Sequence, residues 1–223
     1  DFYVYSANLC VGGGPLYLTS TPPKATGTTF ALKVFLSTTN GGFWSSPETW
    51  QGGKVPFYSE IATIADGATV YIDVPILMKN VTIGQGNSGI LTWTGTTNTI
   101  NILNNVLIKQ GGKLLPYTTG GTGQIINIGG NFTNDGYCNC AVASTQLNFN
   151  GSQVGGSMNQ ILDGTGTFEG DGTRGIIRSL FFQTTGSSTI NTNQELITGS
   201  LAHTAGSLNT NGKLYIDNTS QVY

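Results

Sequence analysis

Between Ile61 and Asp217, short apolar runs alternate with polar residues, and Gly, Asn or Asp punctuate them. Thr69-Val70-Tyr71-Ile72-Asp73, Asn80-Val81-Thr82-Ile83-Gly84 and Asn105-Val106-Leu107-Ile108 follow this phrase. So do Gln124-Ile125-Ile126-Asn127-Ile128-Gly129, Gln146-Leu147-Asn148-Phe149-Asn150 and Lys213-Leu214-Tyr215-Ile216-Asp217. A period of two puts every second side chain on one face, so each run predicts a strand with one buried side. The phrase also recurs at a steady distance. Val81 to Val106 spans 25 positions, Val106 to Phe132 spans 26, and Ile102 to Ile128 spans 26.

Strands this short cannot cover their apolar side alone. Stacking coil on coil, at about 4.8 Å between strands, pairs the backbone and builds one continuous core. A period of about 25 residues suits a coil of about three short strands. The predicted fold is all-β, a right-handed parallel β-helix, because parallel crossovers favour that winding. An antiparallel β-sandwich is the rival. Asp66-Gly67, Asp135-Gly136, Asp163-Gly164 and Asn211-Gly212 carry the residue types of tight hairpin turns, which would suit it. A sandwich needs no recurrent phrase, so the solenoid is preferred.

Residues 1–42 do not share the phrase. Alternating stretches at 2–5 and 16–18 flank Gly12-Gly13-Gly14-Pro15, and Thr29 to Leu36 reads either as a short helix or as a buried strand. A solenoid end exposes strand edges and open core. Residues 1–42 are therefore expected to form an irregular, strand-rich N-terminal cap, and 43–223 the β-helix. The phrase still runs at Ile216, so the coil is expected to continue, or to stack, beyond the C-terminus.

Composition narrows the function. Only 9% of the 223 residues are charged, the net charge is −2, and Gly accounts for 33. The surface must be built from Thr, Ser, Asn and Gln. Nine basic residues against eleven acidic give no electrostatic footprint for nucleic acid. No apolar run approaches the roughly 20 residues that span a bilayer, so no membrane insertion is expected. The first residues lack the basic start and apolar stretch of a signal peptide, consistent with a mature or trimmed N-terminus. This composition points to an extracellular, cell-surface setting. Three cysteines, Cys10, Cys138 and Cys140, leave one unpaired within the chain. In an oxidising compartment Cys10 can pair with Cys138 or Cys140; buried free thiols fit equally well.

The segment Phe43-Trp44-Ser45-Ser46-Pro47-Glu48-Thr49-Trp50-Gln51-Gly52-Gly53-Lys54-Val55-Pro56 resembles the opening of β-helical regions in large secreted surface adhesins of the Bacteroidota. There a Trp-Ser-x-Pro-x-Thr-Trp-x-Gly-Gly-x-Val-Pro stretch precedes a strand like Glu60-Ile61-Ala62-Thr63-Ile64. The phrase Asp66 to Asp73 is similar to the eight-glycine domain of ectoproteins. Gly199-Ser200-Leu201 and Gly206 to Gly212 resemble later turns of the same proteins. The resemblance covers roughly residues 43–218. Cys138-Asn139-Cys140 and Phe181-Phe182 depart from it. It implies surface export and adhesion, and it carries no catalytic residues.

Chemical candidates are sparse. Glycoside hydrolysis needs two carboxylates facing one cleft, and most acidic residues here stand alone beside Gly or Asn. Asp163, Glu169, Asp171 and Arg174 form the densest ionisable group, read either as a carboxylate pair or weak Ca²⁺ site, or as a solvated connection; the second reading is preferred. His203, the single histidine, shares inward alternation with Leu201 and has no motif partner. Trp44 and Trp50 are expected to close the core, and Trp93 shares a face with Leu91. Tyr117, beside Pro116, and Trp93 are carried as candidate ligand contacts. Thr-x-Thr pairs do not recur at the coil spacing, which argues against ice binding. The sequons at Asn80, Asn131, Asn150 and Asn218 are those expected by chance in so Asn/Thr-rich a chain. No catalytic, metal or cofactor site is expected. The expected function is a structural and adhesive module that meets surface glycans or neighbouring copies. The alternatives are a polysaccharide lyase or glycosidase, or a phage-type carbohydrate-binding spike, on the same fold.

Overall fold

The structure is a computed structural model. It describes residues 33–58, 60–95, 99–116, 124–142, 145–151 and 159–217, with the backbone of four short strands before them. The chain divides into two compact units, Asp1–Ala31 and Leu32–Tyr223. In the first, Phe2–Tyr3 pairs antiparallel with Lys24–Ala25, and Ala7–Asn8 with Leu16–Tyr17.

The second unit is a parallel β-solenoid of about six turns. Three sheets run along it. The first has eight strands, from Val34–Leu36 to Ser207–Asn209. The second has six, from Gly42–Phe43 to Thr167–Phe168, and the third has seven, from Ile76–Met78 to Leu214–Ile216. Every pairing within these three sheets is parallel, which excludes the sandwich. The spacing read from sequence is the ladder register itself: Val81 sits beside Val106, Val106 beside Phe132, and Ile102 beside Ile128.

The solenoid starts before residue 43. Val34–Leu36 already pairs with Ile61–Thr63, and Gly42–Phe43 with Val70–Tyr71. Of the segment that reads as helix or strand, Val34–Leu36 is strand; 29–32 lies outside the described residues. Phe35 tucks inward at 4% exposure, next to Ala62 in the ladder.

Inward side chains form unbroken columns. In the third sheet one column runs Met78, Ile102, Ile128, Phe149, Phe182 and ends at His203. Phe149 and Phe182 stack with ring centroids 4.9 Å apart, so the bulky Phe182 is accommodated by the column and not by the surface. In the second sheet Val70, Leu91, Leu114, Cys138 and Phe168 line up the same way.

Asp66-Gly67, Asp135-Gly136 and Asn211-Gly212 make corners between sheets, not hairpins, whereas Asp163-Gly164 ends strand Gln160–Gly164 and pairs with Asn191 and Thr192. Asp66-Gly67 joins Ile61–Ile64 of the first sheet to Thr69–Ile72 of the second. Asn211, the one non-glycine residue with positive φ among those described, turns Ser207–Asn209 into Leu214–Ile216, and each of these pairs with the preceding rung. Gly84 and Gly111 are required at their corners. Both have positive φ, and a Cβ would lie 2.2 Å from the Ser88 carbonyl oxygen and 2.1 Å from that of Asn87 respectively.

Side chains link successive corners. Asn80 Oδ1 accepts the Asn105 N–H at 3.0 Å, Asn105 Oδ1 accepts that of Asn131 at 2.9 Å, and Asn131 Oδ1 accepts that of Ile161 at 2.9 Å. Two of the four sequon asparagines, Asn80 and Asn131, thus belong to a structural ladder. At another corner Asp66 Oδ1 accepts N–H bonds from Gln85 (2.7 Å) and Ser88 (3.0 Å), and Asp66 Oδ2 accepts one from Asn87 Nδ2. These bonds, led by that from Gln85, hold the Asp66 carboxyl down at about 2.

Phe149→Ala removes one ring of the stacked pair and is expected to cost about 3–5 kcal/mol in chemical denaturation. Asp66 gives an acid signature. Its folded pKa lies below its unfolded value, so its contribution is complete above about pH 4 and is lost as pH falls toward about 2. Protection of the Gln85 and Ser88 amides, measured relative to their intrinsic exchange at each pH, is expected to fall across that window, and Asp66→Ala is expected to abolish the acid step. Unchanged protection down to about pH 2 in the native chain would contradict the assignment.

Candidate functional sites

The polar surface of the described residues offers a broad groove. Its corner residues come from successive rungs: Gly86, Leu107 with Lys109 and Gln110, then Asp135 and Thr165 enclose about 660 Å³. Strand Val106–Ile108 leads directly into Lys109 and Gln110, so the ladder fixes where both side chains emerge. Asp135 Oδ1 accepts the Thr165 N–H and hydroxyl, both at 3.0 Å, which ties the far wall to the next coil. A donor-rich side, a carboxylate side and one aliphatic contact suit a polyhydroxylated ligand.

A second recess is apolar. Trp44, Val55, Phe57, Tyr58, Pro75 and Leu77 help line a space of about 520 Å³. Its floor is set by the Trp-Ser-Ser-Pro-Glu-Thr-Trp phrase. Pro47–Thr49 forms a short 3₁₀ turn that brings Trp50 back against Trp44, edge to face at 4.7 Å, with Trp50 Nε1–H donating to the Trp44 carbonyl at 2.8 Å. Both indoles are buried, as the sequence suggests. Asp73 anchors the phrase from the next rung by accepting the N–H (3.0 Å) and hydroxyl of Ser45.

The ionisable group at 163–174 comes together only in part. Asp171 Oδ1 accepts the backbone N–H of Arg174 (2.7 Å) and of Thr173 (3.0 Å), and Oδ2 meets Arg174 Nη2 at 3.4 Å. The Asp171 carboxyl is held below its ordinary range, chiefly by the Arg174 amide. Glu169 accepts the Tyr137 hydroxyl, and burial followed by this bond pushes Tyr137 up to about 12. These carboxylates hold a turn and a neighbouring tyrosine. No cluster of three or more His, Cys, Asp or Glu side chains fit for a metal ion occurs among the described residues.

Trp93 is 2% exposed and belongs to the core, so its ring offers no platform to a ligand in solvent. The reason is alternation: it shares the inward face of Ile90–Trp93 with Leu91. Tyr117 and Cys10 lie outside the described residues. Cys138 and Cys140 are both fully buried, with their sulfurs 2.9 Å apart. Burial, then the neighbouring Cys140, raises the Cys138 thiol well above its ordinary range. His203 sits over Phe182, and its Nε2 is buried without a hydrogen-bond partner.

Sequence reasoning missed both recesses. The groove depends on residues 86, 107–110, 135 and 165, which only the coil register brings together. Among the described residues no helix is long and apolar enough to cross a membrane. No protein-family profile, curated protein or solved structure matches the chain.

Burial keeps both thiols away from reagents in solvent, and at Cys138 it also disfavours the reactive thiolate. Cys138 and Cys140 are therefore expected to resist alkylation at pH 8 in the folded protein and to react fully once it is denatured and reduced. Rapid labelling of the folded chain would show that this part of the core is open.

Proposed function

We propose that this chain is an extracellular structural and adhesive module of a bacterial surface protein, whose solenoid attaches through polar faces to glycans. The observation that carries the reading is the groove of Leu107, Lys109, Gln110, Asp135 and Thr165. It combines donors, acceptors and one aliphatic contact on a scaffold whose rungs cannot shift independently. Solenoid faces suit such extended contacts.

The polar ladders point the same way. Asn127 Nδ2 donates to Asn101 Oδ1 at 2.8 Å, and Asn148 Nδ2 donates to Asn127 Oδ1 at 3.0 Å, which makes an uncharged amide row along the third sheet. Amides of this kind exchange hydrogen bonds with hydroxyls at little desolvation cost compared with charges. The carboxylates described above serve loop geometry, which supports attachment over turnover. The likeness of Phe43–Pro56 to the opening phrase of Bacteroidota adhesins supports a surface setting.

Retention on insoluble and immobilised polysaccharides is the direct test. The native chain is expected to bind a subset of them without releasing reducing ends or unsaturated products. Lys109→Ala combined with Gln110→Ala is expected to weaken retention about tenfold or more, the loss of one or two hydrogen bonds including a charged one, with the denaturation midpoint unchanged. Product release would sink the reading in favour of an enzyme. Full retention by the double variant would remove the groove from it.

A further inference from the structure

The third sheet has a gap, and the apolar recess is that gap. In the first sheet Ile61 pairs with Asn80, and the Lys79 N–H donates to the Glu60 carbonyl at 2.9 Å, so the rung carrying Glu60 lies directly beside the rung carrying Lys79. Tracing both rungs backwards places Ile76–Met78 opposite the stretch just before Glu60. Its described residues, Phe57 and Tyr58, belong to no strand. The Glu60 N–H donates to the Phe57 carbonyl at 3.3 Å and the Glu60 carboxylate accepts the Phe57 N–H at 2.8 Å, which closes a turn. Ile76–Met78 is left as the edge of the third sheet.

The edge faces the recess with free bonding capacity. Ile76–Met78 pairs on its other side with Ile100–Ile102, and Leu103 N–H donates to the Met78 carbonyl at 2.8 Å. Backbone groups alternate direction along a strand. Ile76 and Met78 therefore bond toward Ile100–Ile102. Leu77, between them, turns its N–H and C=O the opposite way, the direction in which the Lys79 N–H meets the Glu60 carbonyl. Around these groups the walls are apolar, and Phe57 (79%), Tyr58 (53%) and Leu77 (39%) are open to solvent.

We propose that this slot binds an extended peptide strand, which adds to the third sheet along Ile76–Met78 and inserts alternate apolar side chains into the recess. An unpaired edge selects a partner with backbone N–H and C=O at strand spacing, and apolar walls select apolar side chains. A sugar finds few polar partners on these walls. Residues 55–58 wall the far side, so the slot takes a single strand and does not seed a growing sheet. The recess, at about 520 Å³, is within the range of ligand-sized sites. This inference is independent of the glycan groove.

The test uses a probe drawn from the chain itself. Gln124-Ile125-Ile126-Asn127-Ile128-Gly129-Gly130 contains a native third-sheet strand, Ile125–Ile128. It is synthesised with blocked ends, together with two analogues N-methylated at alternate residues, one for each edge of the peptide. Amide exchange of the whole protein is followed by NMR during titration. The Leu77 amide is expected to exchange freely in the protein alone. Saturation with the peptide is expected to slow it about tenfold or more, the effect of one added hydrogen bond, and at least one methylated analogue is expected to fail. Three results would overturn the proposal: a Leu77 amide already protected without peptide, no saturable binding by the parent peptide, or equal binding by both analogues.

Discussion

Each rung of this solenoid is too small to cover its own apolar side, so the inward side chains are shielded only by the rungs on either side. That constraint makes register the governing variable. A slip of one residue would turn every inward column outward. The columns show how tightly it is kept: Ile76, Ile100, Ile126, Leu147, Leu180 and Leu201 succeed one another without interruption. The corners carry the cost of the same rule. They must return the chain at nearly the same angle each time, which is why Gly occupies positive-φ corners and why Asn80, Asn105 and Asn131 reach across to the next rung.

Where the pattern lapses, the structure supplies a substitute. The second sheet ends at Thr167–Phe168, and the Gln194 side chain accepts the Phe168 N–H at 2.7 Å where a further strand would otherwise bond. Beyond it, Arg174–Phe182 and Glu195–His203 lengthen to nine residues each and carry the packing between fewer sheets. In the core, Asn134 replaces an aliphatic residue above Ile108, and its amide donates to the Thr167 carbonyl at 3.0 Å while its oxygen accepts the Gly136 N–H at 3.2 Å. A buried amide satisfied on both sides costs little. The same economy explains a surface with so few charges: Asp66, Asp73, Asp135 and Asp171 serve as anchors for loops.

The ladder was legible because alternation and spacing are local and additive along the chain. Val81, Val106 and Phe132 announce their register by distance alone, and Leu91 with Trp93 announce their shared face. The first rung was harder to see. Val34–Leu36 and Gly42–Phe43 stand in a coil whose third strand is missing, so the phrase is broken there and the boundary read at residue 43 falls too late. The recesses were not legible at all. Lys109, Asp135 and Thr165 are neighbours only after winding, and the gap beside Leu77 arises because Glu60 folds its own loop back instead of extending a strand. Neither event leaves a periodic trace.

The central claim is parallel, in-register stacking, and cross-strand contacts between amide and α-protons in an isotope-labelled sample address it most directly. Neighbouring strands should bring Ile102 beside Ile128, and Ile128 beside Phe149, with α-carbons about 4.8 Å apart. Contacts that instead join residues on either side of Asn211-Gly212 or Asp135-Gly136, as folded-back hairpins require, would contradict the account.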